Sequence, residues 1–146
     1  MVFILRKAID SDLEKIKIYA ESFNLDSEDL EPQKLYIAEK AGVLAGFGRY
    51  KNYRNIYEIS TIGALKEFRR MGAGTIIVEQ LIKSAFLDEI WLTTVFPEYF
   101  QKFGFKKTNN NLPEELVLKT KKLCKKYNKS LEFNIYMKLD KATLSL

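Results

Sequence analysis

Phe68-Arg69-Arg70-Met71-Gly72-Ala73-Gly74-Thr75-Ile76-Ile77 decides the reading of this chain, because a basic, glycine-punctuated turn runs there straight into an apolar helical pattern. Downstream, Gly74, Ile77, Val78, Leu81, Ile82 and Ala85 recur at helical spacing along one face, and upstream Ile56 to Leu65 reads as a strand. The glycines therefore join a strand to a helix. The first turn of a helix has N–H groups without intrahelical partners and the positive end of the dipole, and Gly72 and Gly74 let a ligand approach the backbone. Such a loop suits a phosphate or another anion. A short glycine motif taken alone reads equally well as a polar turn ahead of a core helix, so the context has to decide.

Phe3 to Arg6 reads as a first strand, and Ser11-x-x-Glu14 as a capping box opening a helix that carries Leu13, Ile16, Ala20 and Phe23. The acidic segment Asp26 to Glu31 is expected to form a short helical turn. Lys34 to Glu39 and Leu44 to Tyr50 are expected to be strands of a hairpin turning at Lys40 to Val43. After the strand Ile56 to Leu65 and the helix that follows the loop, running to about Phe86, Glu89 to Val95 reads as another strand. Pro97 then opens a short helix with Tyr99, Phe100 and Phe103 on one face, and Gly104 ends it before a strand at Phe105 to Lys107. A helix led by Pro113 and a closing strand from Leu131 to Leu139 complete the chain. A hairpin-rich first half followed by strand-helix alternation predicts an α/β protein, a mixed sheet with helices on both faces.

Composition narrows the chemistry. A chain of 146 residues, 47% hydrophobic and without a shift in composition, is expected to be one domain with a sizeable core. With no histidine and the single cysteine Cys124, neither an internal disulfide nor a Cys/His metal cluster is expected, and histidine-dependent nucleophilic catalysis is excluded. Carboxylates, tyrosines, lysines or water are left to move protons. Cys124 reads as a half-buried helix residue. The apolar opening Met1 to Leu5 is broken by Arg6, Lys7 and Asp10, too short for a signal peptide or a membrane span, so a cytoplasmic protein is expected. The net charge of +5 suits an anionic ligand. Lys119, Lys121, Lys122, Lys125, Lys126 and Lys129 crowd one segment, but Leu116, Leu123 and Tyr127 fall near one helix face, so the lysines read as its solvated side rather than a nucleic-acid surface.

The loop is neither a Walker A sequence nor a dinucleotide fingerprint. Arg69-x-x-Gly72-x-Gly74 instead resembles the acyl-coenzyme-A signature of the GNAT acetyltransferases, Gln/Arg-x-x-Gly-x-Gly/Ala. The likeness extends to Leu5-Arg6-Lys7-Ala8, Asp12-Leu13, Ala38-Glu39, Gly42, Glu58 and Phe103-Gly104-Phe105, and so spans nearly the whole chain. It implies the GNAT fold, a mostly antiparallel seven-stranded mixed sheet splayed between strands 4 and 5. It also implies acetyl-coenzyme A (acetyl-CoA) as the acyl donor and a small-molecule primary amine as acceptor.

Carried over position by position, the resemblance makes the amides of Arg70, Met71, Gly72, Ala73, Gly74 and Thr75 the pyrophosphate cradle, with the Arg69 and Arg70 side chains adding charge. Ala64 and Leu65 match the strand end whose backbone contacts the pantetheine arm and the acetyl carbonyl. Glu58, six residues before Ala64, matches the fourth-strand glutamate that acts as general base, usually through water. The tyrosine that protonates the leaving thiolate falls at Phe100, a departure that leaves the general acid open. Leu92-Thr93-Thr94, Phe100, Phe103-Gly104-Phe105, Leu112-Pro113-Glu114-Glu115 and Cys124 are similar to the short amino-acid N-acetyltransferases related to N-acetylglutamate synthase. A carboxylate-bearing acceptor such as glutamate would need basic ligands, for which Arg49, Lys51 and Arg54 are the candidates. The competing expectation is a CoA-binding sensor or inactive partner module that keeps the pocket without turnover. Tyr53, Tyr57 and Tyr136, taken as exposed, are candidates for a homodimer contact.

Overall fold

The computed structural model describes residues 2–145. In chain order the elements are β1 (Ile4–Lys7), α1 (Leu13–Ser22), β2 (Leu35–Lys40), β3 (Val43–Tyr53), β4 (Ile56–Ala64), α2 (Ala73–Ser84), β5 (Glu89–Thr94), α3 (Pro97–Gln101), β6 (Lys106–Lys107), α4 (Glu114–Lys126) and β7 (Ile135–Asp140). The strands form one seven-stranded mixed sheet in the order β1-β2-β3-β4-β5-β7-β6, with β4 and β5 parallel. Their register sets Tyr57 opposite Ile90 and Glu58 opposite Trp91. Contacts within the chain separate into two compact units, one of residues 1–51 and 59–84, the other of residues 52–58 and 85–146.

In the first unit, alternation along β2 and β3 assigns a different helix to each sheet face. Leu35, Ile37 and Phe47 share a buried cluster with Ile16 and Ala20 of α1, and the Phe47 ring stacks on Phe23 at 6.2 Å. On the other face Tyr36 reaches Ser84 of α2, and α2 buries Ala73, Ile77, Val78 and Leu81. Burying each of those larger aliphatic side chains is worth about 1.5–3 kcal/mol. The closeness of this helix is set at Gly48, where a Cβ would stand 2.5 Å from both Ile62 Cδ1 and Ile77 Cγ2. The hairpin between β2 and β3 turns through Ala41 and Gly42, both left-handed, as a two-residue turn with that twist requires.

The second unit is built on β5, paired antiparallel with β7 along the length of both strands, while β6 adds a two-residue edge. Ile90, Leu92, Met137 and Leu139 are buried, and Phe100 packs against the rings of Tyr99, Phe103 and Phe105. From α4, Leu116, Thr120 and Cys124 turn inward.

Four local expectations are corrected. Ser11 does not cap α1; the chain makes a 3-10 turn at Asp10–Asp12, and the Asp12 carboxylate takes the Ile9 N–H at 2.8 Å while pairing with Arg6. The Arg6 hydrogen bond holds that carboxyl below its ordinary range. Asp26 to Glu31 is not helical but bends through left-handed Asp29, because Asp26 and Ser27 are pulled into the interior. The closing strand starts at Ile135, since Leu131–Phe133 forms a 3-10 turn that leaves Leu131 and Phe133 exposed. Tyr57 is not an exposed aromatic: it is buried and packs edge-on against Phe86.

Candidate active site

Two constellations, one in each unit, gather the residues singled out from the sequence. In the first, β4 ends at Ala64, a 3-10 turn at Lys66–Phe68 follows, and the chain enters α2 at Ala73. Arg70 and Gly72 both take left-handed backbone, with φ of 66° and 96°. Between them Met71 N–H donates to Phe68 O at 3.2 Å, and open space lies where a Gly72 Cβ would stand. As the chain enters the helix, Ile76 N–H donates to Gly72 O at 3.1 Å, with the amides of Ala73 and Gly74 in the first turn ahead of it. Arg70 and Met71 are exposed at this turn. The Arg69 guanidinium is tied back, with Nε donating to Ala64 O at 3.2 Å and the charge 5.2 Å from the centre of the Phe23 ring.

At the strand end Leu65 N–H donates to Ala45 O at 2.9 Å, and Leu65 O accepts from Phe68 N–H. Of the two residues expected to offer backbone to an acyl donor, Leu65 already has its N–H engaged.

Arg49 and Lys51 share one partner, Asp26. The Arg49 side chain, 2% exposed, donates to Thr61 Oγ1, Glu28 O and Asp26 O and pairs with Asp26 Oδ2, which also takes Lys51 Nζ at 3.0 Å. Burial alone would raise the Asp26 carboxyl, but the Arg49 and Lys51 charges and the Glu28 N–H outweigh it and hold it below its ordinary value. The clasp also fixes Thr61, a β-branched residue at φ 56° whose hydroxyl donates to Asp26 O at 2.7 Å. Such a backbone costs about 1–3 kcal/mol and persists only where its surroundings over-determine it. Arg54, in the turn between β3 and β4, is exposed and left-handed.

In the second unit Glu58 is completely buried, and both carboxylate oxygens are engaged. Oε1 accepts from the Tyr53 hydroxyl at 3.1 Å, and Oε2 forms an ion pair with Lys119 Nζ of α4. This overturns the reading of Lys119 as part of a solvated helix face. Its side chain is 14% exposed, and its spacing of three residues from Leu116 and four from Leu123 was the available signal. Nothing in the sequence around Asp26 or Thr61 marks them as partners of Arg49. Phe100 lies buried among aromatic rings, and the neighbouring Tyr99 ring is covered by Lys102 Nζ at 4.1 Å. Among the described residues no group of three or more His, Cys, Asp or Glu side chains is arranged to hold a metal, and no helix is long and apolar enough to cross a membrane.

A mixed sheet whose fourth strand leads through a basic, glycine-punctuated turn into a helix defines the α/β class of this protein. The chain belongs to the GNAT acetyltransferase family, whose model matches residues 5–105, and with it to the acetyl-CoA-dependent N-acetyltransferases. Solved structures agree on the fold. Rv2747 from Mycobacterium tuberculosis, solved with CoA, is 20% identical with a TM-score of 0.73 over 94% of this chain and 98% of its own. N-acetylglutamate synthase from Neisseria gonorrhoeae, solved with CoA and N-acetyl-glutamate, gives 0.74 at 16% identity over 95% of this chain. This chain spans only 35% of that enzyme. The ribosomal-protein-S18-alanine N-acetyltransferase of Escherichia coli gives 0.62 at 14% identity, covering 94% of this chain and 93% of its own.

Proposed function

We propose that this protein is a cytoplasmic enzyme, a single acetyltransferase domain, that moves the acetyl group of acetyl-CoA directly onto the primary amine of a small molecule, an amino acid such as glutamate being the leading candidate. The observation that carries the reading is the turn from Arg70 into α2, with its two left-handed residues, the amides of Ala73 and Gly74 in the first turn of the helix and the open space at Gly72. Acetyl-CoA supplies a thioester-activated acetyl group and a thiolate leaving group. The amides of Arg70, Gly72, Ala73 and Gly74 hold its pyrophosphate, with Arg70 adding charge and Arg69 bracing the turn against β4; Met71 N–H is already bonded to Phe68 O. Its pantetheine arm would be held by the backbone at the end of β4, Ala64 and Leu65.

The acceptor arrives largely as an ammonium ion, since an amine of pKa about 8–10 is mostly protonated at neutral pH. Glu58 takes one of its protons through water, which frees the nitrogen lone pair to form the C–N bond at the acetyl carbonyl. Ala64 N–H stabilises the negative charge that develops on the carbonyl oxygen. As the C–S bond breaks, the nitrogen loses a second proton, which the departing thiolate takes through water because Phe100 offers no hydroxyl. Of the three basic candidates for an acceptor carboxylate, Arg49 and Lys51 are spent on Asp26, which leaves the exposed Arg54 to meet it.

The glutamate reading draws on the likeness to the gonococcal synthase, which binds N-acetyl-glutamate. The test is CoA release from acetyl-CoA across amino acids, polyamines, an aminoglycoside and lysine peptides, with calorimetric CoA binding as control. Turnover with glutamate or another amino acid is expected. Binding of CoA without turnover on any of these amines overturns the small-amine reading and favours a CoA-binding sensor.

A further inference from the structure

One lysine of α4 is turned from water onto the only carboxylate that the proposed reaction uses. Glu58 is 0% exposed, its Oε1 fixed by the Tyr53 hydroxyl and its Oε2 by Lys119 Nζ, across 61 residues of sequence. On β5, Trp91 stands opposite Glu58 in register; its indole N–H donates to Glu89, which is itself paired with Lys138 of β7. Among the described residues, Tyr53 from β3 and Lys119 from α4 are the charged and titratable groups bonded to Glu58. A carboxylate taken wholly out of water is stable as an anion only if it is paired, and without a cation it takes up a proton instead.

We propose that Lys119 is a positioning residue for acetyl transfer, holding Glu58 ionised and in a single orientation so that the acceptor's proton has somewhere to go. The inference rests on the assignment of Glu58 as the base. In the step, an N–H bond of the acceptor ammonium breaks and an O–H bond forms on Glu58 by way of water. Lys119 takes no part in the transfer and only holds Glu58 Oε2. Glu58 then returns its proton to solvent, and Lys119 restores the resting carboxylate.

The test compares the wild-type chain with Glu58→Gln, Lys119→Met, Lys119→Arg and Lys119→Gln. CoA release is followed against pH with the fastest acceptor from the panel above, and thermal unfolding is followed in parallel. Glu58→Gln is expected to lower kcat about a hundredfold. Lys119→Met is expected to lower kcat about tenfold or more with the acetyl-CoA KM within about twofold, and to move the acidic limb of kcat/KM to higher pH. Lys119→Arg, which keeps the charge, returns the limb to its wild-type position. Should Lys119→Met fail to fold, Lys119→Gln, which keeps a donor on the carboxylate and removes the charge, is read in its place. A wild-type kcat and pH profile in Lys119→Met or Lys119→Gln overturns the proposal whatever happens to the melting temperature. A full rate in Glu58→Gln, or no turnover by the wild type, fails the base assignment itself and takes the proposal with it.

Discussion

Gly72 shows how a single backbone angle links fold to ligand. At φ 96° any residue with a Cβ is strained by about 1–2 kcal/mol, yet nothing stands within 4 Å of where that Cβ would be. Gly72→Glu should therefore leave a folded protein, by circular dichroism, that no longer binds CoA in a calorimeter; unaltered binding would place the phosphates elsewhere. Gly48 behaves oppositely, because its Cβ would collide with Ile62 and Ile77 in a packed interior. Gly48→Ala should cost about 1–3 kcal/mol in denaturant unfolding, through overpacking rather than strain. Asp26 gives the residue scale its pH dependence. Its carboxyl is held low in the folded state, so its contribution to stability is present above the unfolded pKa of about 3.9 and is lost as pH falls through the folded value. Asp26→Asn should unfold at lower denaturant at pH 7 and lose less further stability on acidification than the wild type.

At the scale of elements, α4 divides its lysines by direction. Lys121 and Lys125 are exposed, whereas Lys119 lies against a buried carboxylate. Removing one partner of a buried pair strands the other, at a cost of about 3–5 kcal/mol, while exposed charges shift stability by about 0.5 kcal/mol or less. Lys119→Met should accordingly lower the unfolding midpoint far more than Lys121→Met or Lys125→Met, and equal effects would contradict the pairing. The same helix shows how much of the candidate site was legible. Its apolar stripe could be read from Leu116 and Leu123, but a lysine between them on that stripe reads as solvated until β4 brings a carboxylate within reach. The turn before α2 was legible as a turn, because its chemistry belongs to the backbone and its two glycines lie two residues apart in sequence. The Arg49 clasp was not, because Asp26, Thr61 and Arg49 meet only when β3, β4 and the segment after α1 are folded.

For the molecule as a whole, binding to the folded state alone raises its stability by mass action. CoA at about a hundred times its dissociation constant contributes about 2.7 kcal/mol, which for a chain of this size is a rise of roughly 5–10 °C in melting temperature. Wild type should show that rise and Gly72→Glu should not, whichever amine the enzyme acetylates. The experiment thus separates cofactor binding from acceptor choice.

Periodicity and turn chemistry in the sequence determined the order of elements, the hairpin, the helix after the glycine turn and membership in a recognisable fold, since these depend on residues within a few positions of one another. Only the tertiary structure decided which charges are used up. It turned Lys119 inward to Glu58, set Asp26 on Arg49 and Lys51, and engaged Leu65 N–H with Ala45 O. A charged side chain looks the same in sequence whether it faces water or another charge, and its partner is fixed by strand register and helix packing across dozens of residues.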